Sequence, residues 1–174
     1  MKRKVHCLHF TARSGAQQAF IYNVFLGPVP ERIVIALVKN TAFVGSSSRN
    51  PYHFQHYITN LVFYVNGVQH ACEPFTVDCS LPFGVNRAYE KLFSNTGIHR
   101  YMITLEMFTK GFCIVDFDLT PDREADEEHI SLPRKGNLRI EDRFNKPLTV
   151  PVTCIWYADF PRHVERDKSR KVTV

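Results

Sequence analysis

Apolar and polar residues alternate along much of this chain with the period of two expected of strands that bury one face. Lys4 to Thr11 places Val5, Cys7 and His9 on one side, and Ser14-Gly15 breaks the run. Gln18 to Leu26, dense in Phe, Ile, Tyr and Val, reads as a second strand. Gly27-Pro28-Val29-Pro30 stops it, because neither proline can donate to a ladder. Arg32 to Val38 is a continuous β-branched run, the pattern of a strand buried on both faces. Lys39 to Gln55 holds Gly45-Ser46-Ser47-Ser48 and Asn50-Pro51 and reads as a long loop. Ile58 to Val65 and Val68 to Val77 flank Asn66-Gly67, the pair that tolerates the positive φ angles of a type I′ hairpin turn.

Helical spacing surfaces in Asn86 to Phe93, where Tyr89, Leu92 and Phe93 fall on one face, Asn86 is a candidate cap and Gly97 a candidate stop. Tyr101 to Phe108 fits helix and strand equally. Gly111 opens a further strand, Phe112 to Leu119, in which Cys113, Val115 and Phe117 alternate with Ile114, Asp116 and Asp118. Thr120 to Lys135 is a polar, acidic loop. Asn137 to Phe144 is half-exposed, with Leu138 and Ile140 against Arg139 and Glu141. Val150 to Ala158 is the last strong strand. The stretch from Arg162 to Lys171 is charged and is expected to pair only within an assembly. Strands never alternate regularly with helices, which argues against a parallel α/β sheet. The expectation is an all-β fold, an eight-stranded antiparallel jelly-roll sandwich with one short helix. Residues 1–161 form the domain and 162–174 a charged tail.

Composition narrows the picture modestly. The 174 residues suit one domain, and aromatics at 13% favour strands over helices. No apolar stretch reaches the length of a membrane span, and His6, His9, Thr11 and Arg13 interrupt what would be a signal peptide's core, so an intracellular protein is expected. Five cysteines, with no CxxC pair, read as free thiols, including Cys72 and Cys79. The net charge of +5 is spread along the chain and reads as an ordinary soluble surface.

Five stretches together resemble a known family: Asn23 to Pro30, Asn40 to Phe54, Phe63 to Gly67, Phe117 to Asp122 and Gly136 to Tyr157. Asp167-Lys168 and Arg170 to Val172 add to the likeness. The set, in this order, is similar to the double-jelly-roll major capsid protein (hexon) of Polinton/Maverick transposons and adintoviruses, and covers its C-terminal jelly roll only. The resemblance implies a second roll N-terminal to this one and pseudo-hexameric trimers that tile an icosahedral shell. It implies a place in the virion and no catalytic residues. The stretch from Gly97 to Gly111 is shorter than the family's usual loop.

Local physics agrees with these motifs without calling for a ligand. Asn50-Pro51 sets a loop's path, and Asp118 and Asp122, which flank Thr120-Pro121, suit carboxylates that accept backbone N–H groups in an Asx-type turn. His6/His9 and His53/His56 are each three apart. On a strand such a pair points to opposite faces, so aromatic packing is favoured over metal ligation. The acidic residues from Asp122 to Glu128 lack EF-hand spacing and read as a solvated loop. No nucleophile elbow, P-loop or dinucleotide motif occurs. Phe63, Tyr64, Phe75 and Tyr157 are expected in the core rather than in a stacking platform for single-stranded nucleic acid.

The reading is therefore a structural protein with no cofactor and no metal, self-associating as a trimer. Ser46, Ser47, Ser48, Arg49, Asn50 and Pro51 are the candidate assembly contacts. Arg166, Lys168, Arg170 and Lys171 are the candidate electrostatic tail, facing a neighbouring subunit or genomic DNA. The rivals are a single-jelly-roll, penton-type minor capsid protein, a glycan-binding jelly roll and a metal-dependent cupin-like enzyme.

Overall fold

The computed structural model describes residues 2–54, 58–75, 85–94, 103–121, 132, 134–144, 146–162, 165–166 and 172–173. Strands β1 (Lys2–Ala12), β2 (Gln18–Ile21), β3 (Leu26–Pro28) and β4 (Arg32–Lys39) lead into the helical turn α1 (Asn40–Phe43). The hairpin β5 (Ile58–Val65) and β6 (Val68–Phe75) follows, then helices α2 (Asn86–Ser94) and α3 (Leu105–Lys110). The chain continues through β7 (Ile114–Asp118), β8 (Lys135–Phe144), β9 (Val152–Arg162), β10 (Glu165–Arg166) and β11 (Val172–Thr173).

Setting aside the short β3, β10 and β11, eight strands remain, and their pairing defines the fold. The first pairs with the last, β1 with β9, and the second with the seventh, β2 with β8. The third pairs with the sixth, β4 with β7, and the fourth with the fifth, β5 with β6. Every pair is antiparallel, so the chain is one long hairpin ribbon. Rolled up, the ribbon brings β9 beside β4 and β8 beside β5. The result is two sheets, ordered β1-β9-β4-β7 and β2-β8-β5-β6, with β3 adding to β8. This is the jelly roll expected from the strand count.

The core lies between the sheets. Ile33, Ile35 and Leu37 of β4, Val115 and Phe117 of β7, and Cys154, Trp156 and Ala158 of β9 project from one sheet. Leu61 and Phe63 of β5 and Leu138 and Ile140 of β8 meet them from the other, with Phe63 and Phe117 rings 4.3 Å apart. Buried Ala88, Leu92 and Phe93 bring α2 into the same cluster, and α2 packs on β7. The Tyr89 hydroxyl donates to the Ile103 carbonyl and its ring meets Phe108 edge-on, which ties α2 to the segment carrying α3.

Several expectations change in detail. The second strand splits, because Asn23 takes a left-handed φ of 54° and ends β2 before β3 begins. The stretch read as loop from Lys39 begins otherwise: Lys39 ends β4, and Asn40–Phe43 form α1. The ambiguous stretch resolves into α3, whose first turn is capped by the Thr104 hydroxyl accepting from the Met107 N–H. Gly111, at φ 145°, ends that helix and delays the next strand to Ile114. The charged C-terminal stretch does not wait for an assembly to pair: β10 and β11 pair with each other. Phe63 is core as expected, but Tyr64 and Tyr157 are not. Strand parity turns them outward, Tyr64 beneath the Arg139 guanidinium and Tyr157 to solvent at 37% exposure. Phe75's side chain lies outside the described residues.

Candidate functional site

Between β4 and β5 the chain builds its most elaborate described loop. The Asn40 N–H donates to the Pro151 carbonyl at 3.0 Å, and the Asn40 side chain accepts from the Thr153 hydroxyl at 2.9 Å. These bonds anchor α1 to the start of β9. Backbone bonds from Val44, Gly45 and Ser46 to Asn40, Ala42 and Thr41 close the turn. The Ser46 and Ser48 hydroxyls bond each other at 3.1 Å, and the Arg49 N–H returns to the Ser46 carbonyl. Asn50 then makes an Asx turn, its side-chain oxygen accepting from the Tyr52 N–H at 3.0 Å. Phe54 rejoins the fold through its N–H to the Gly111 carbonyl at 2.7 Å.

The folded loop borders a solvent-open pocket of about 240 Å³. Buried Val38 and Ala42 line it together with Lys39 and the exposed Ser48, Arg49, Asn50 and His53. The six-residue assembly candidate thus divides: Ser48, Arg49 and Asn50 line the pocket, whereas Ser46, Ser47 and Pro51 do not. Lys39 and His53 lie within the stretch read as a loop from the sequence but outside the six-residue candidate, and the folded loop brings them into the same lining. Near this end of the sandwich the loop and α3 segments also expose Phe43, Val44, Tyr52, Leu105, Met107 and Phe112.

The other candidates lie elsewhere. His6 stacks edge-on against Phe160 and His9 tilts against Phe43 at 4.9 Å, so the pair does point to opposite faces and packs on aromatics. No cluster of metal-ligating side chains occurs among the described residues. His56 and the acidic residues from Asp122 to Glu128 lie outside the described residues, as do Lys168, Arg170 and Lys171. Arg166 is placed by its backbone alone, opposite Val172. Cys113 and Cys154 are buried free thiols and Cys7 is an exposed one; Cys72 is placed by its backbone alone, in β6, and Cys79 lies outside the described residues. Burial pushes the Cys154 thiol up, away from the thiolate that nucleophilic chemistry needs, and the Trp156 indole N–H donates to its sulfur at 2.7 Å.

Two carboxyl groups carry unusual electrostatics that the alternation of the strands conceals. Asp142 occupies the inward row of β8 between Ile140 and Phe144, and burial pushes its pKa up to about 7. Asp116 of β7 is also raised to about 7, chiefly by burial, with Arg32 opposing and Asp118 and Asp159 reinforcing the rise. Arg32 donates to the buried Asp159 carboxylate at 2.8 Å. Asp118 plays the expected turn role, accepting from the Thr120 N–H at 2.8 Å and from its hydroxyl at 2.5 Å.

Comparison with known proteins adds the class of this fold. A chain from the cryo-EM structure of the Sputnik virophage superposes with a TM-score of 0.50 at 14% identity, over 91% of this chain and 35% of the virophage chain. The likeness is one of fold: a jelly roll of the kind found in a virus particle. This chain spans about a third of the length of that neighbour. No protein-family model and no curated protein matches the sequence. Among the described residues, no helix is long and apolar enough to cross a membrane.

Proposed function

We propose that this chain is a structural, capsid-type protein of a virion, with no catalytic role. One observation carries the reading: the complete ribbon pairing of a jelly roll, in a chain of which 91% superposes on a chain of the virophage structure. Shell proteins need a rigid sandwich that leaves loops free to make distinct contacts, and here a closed core supports an ordered, exposed loop at one end. The motif resemblance to Polinton/Maverick and adintovirus hexons supplies the finer reading. In it the chain is the C-terminal roll of a double-jelly-roll protein, its partners are further copies and an N-terminal roll, and the assembly is a pseudo-hexameric trimer. The Ser46–Pro51 loop serves as an assembly contact, and Arg166, Lys168, Arg170 and Lys171 face DNA or a neighbouring subunit.

All four ribbon pairs lie within this chain, which also suits a single-roll, penton-type minor capsid protein. Sedimentation velocity of the purified chain, with electron micrographs of the same sample, separates the readings. Three-fold mass or closed shells supports the major-capsid reading, and five-fold mass supports the penton. A monomer that binds a glycan array and never assembles, alone or with an added N-terminal roll, refutes both.

A further inference from the structure

The cavity under the β4–β5 loop has a composition that its place in an assembly contact does not require. Two permanent cations, Lys39 and Arg49, stand in its wall with His53 beside them. Neither Lys39 nor Arg49 makes an ion pair with a described residue, and none of the described residues lining the cavity is acidic. Two like charges held on one small concavity repel each other, and an anion relieves that repulsion. The Ser48 hydroxyl and the Asn50 side chain supply further polar groups in the same wall.

We propose that this cavity binds a phosphate dianion, free or as a terminal monoester. Charge matching selects it: two fixed cations balance two negative charges, whereas a carboxylate or a phosphodiester brings one. Lys39, at the end of β4, and Arg49 and His53, in the loop, all line the pocket, and side chains of these types carry the donors that suit an oxyanion with several strong acceptor oxygens. The volume has room for several waters, and so for one phosphate and part of its hydration shell. It is smaller than the ~300 Å³ at which sites for drug-sized ligands begin. Buried Val38 and Ala42 add apolar lining, which weakens competition from water on that side. The Asx turn at Asn50 and the hydroxyl pair of Ser46 and Ser48 hold the Arg49 backbone in place before any ligand arrives. This proposal does not depend on the capsid reading and applies to the monomer.

The test is a titration of the full chain with inorganic phosphate, followed by amide NMR and calorimetry, against sodium chloride at matched ionic strength. Phosphate is expected to shift the amides of Lys39, Ser48, Arg49, Asn50 and His53 and to bind in a range that chloride does not reach. Arg49→Ala, a substitution at an exposed position, is expected to weaken binding by about tenfold or more, the loss typical of a charge-assisted hydrogen bond. Circular dichroism of the variant establishes that its fold is kept, and Lys39→Ala repeats the test from the other side of the cavity. Single-stranded oligonucleotides with and without a 5′-phosphate form the second arm. Preference for the phosphorylated one extends the proposal to monoesters. Equal binding of both, lost in Arg49→Ala and without any response to inorganic phosphate, overturns it in favour of backbone contact. Identical responses to phosphate and chloride, or an Arg49→Ala variant that binds phosphate as tightly as the parent, also overturns it.

Discussion

Asp142→Asn is expected to stabilise the protein at alkaline pH and to leave it nearly unchanged in acid. The carboxyl group sits at 1% exposure in the inward row of β8, paired across to buried Ala19 and Leu61. Its Oδ1 accepts no hydrogen bond among the described residues. Burial raises its pKa from 3.8 to about 7. Above pH ~4 the unfolded chain has released this proton and the folded chain still holds it, so the folded state binds more protons and stability falls as pH rises. The loss accumulates until the folded group ionises near pH 7 and is then constant. About three pH units at ~1.4 kcal/mol each make the penalty on the order of 4 kcal/mol. Asparagine keeps the shape and cannot ionise. Its own desolvation cost is independent of pH, so the change in the stability difference between pH 4 and pH 8 isolates the charge. Urea unfolding followed by fluorescence of Trp156, the chain's one tryptophan and buried in the same core, measures that difference at fixed ionic strength. A stability gap that does not vary between pH 4 and pH 8, or a parent more stable than the variant by more at pH 8 than at pH 4, refutes the reasoning.

Arg32→Ala should destabilise by roughly 3–5 kcal/mol, the cost of taking the guanidinium from a buried carboxylate, here Asp159 at 2% exposure. The same change should move the titration of Asp116 further up, visible by carboxyl NMR, because Arg32 is what opposes its rise. Gly111→Ala should cost about 1 kcal/mol or more by thermal unfolding, since a Cβ there meets the His53 ring at 2.7 Å on a backbone at φ 145°. Alanine replacements across Ser46–Asn50 should lower the oligomeric mass in sedimentation without shifting the melting transition; an unchanged mass removes the loop from the assembly contact. Deleting residues 162–174 should reduce DNA retention by purified assemblies, and retention equal to the parent's ends the electrostatic reading of the tail.

Much of this architecture is written locally. Asn66-Gly67 adopts φ values of 53° and 79°, the left-handed pair its two residues favour, and the hairpin follows from them. The period of 3.6 in Asn86 to Phe93 becomes α2, and the β-branched run from Arg32 becomes a strand paired on both sides. Turn chemistry and side-chain periodicity act within a few residues, so the sequence by itself determines where strands and turns fall. Tertiary structure alone decided the rest. The pairing of Lys2 with Arg162 and of Ala12 with Val152 joins opposite ends of the chain, and no local pattern encodes a contact at that separation. The inward place of Asp142 depends on β8 packing its whole alternate row against the other sheet, so a residue type that reads as exposed is carried inside by its apolar neighbours. The cavity exists because the loop folds back over the end of β4, which joins Lys39 and His53 to Arg49 across a span of sequence that by itself reads only as a break between strands.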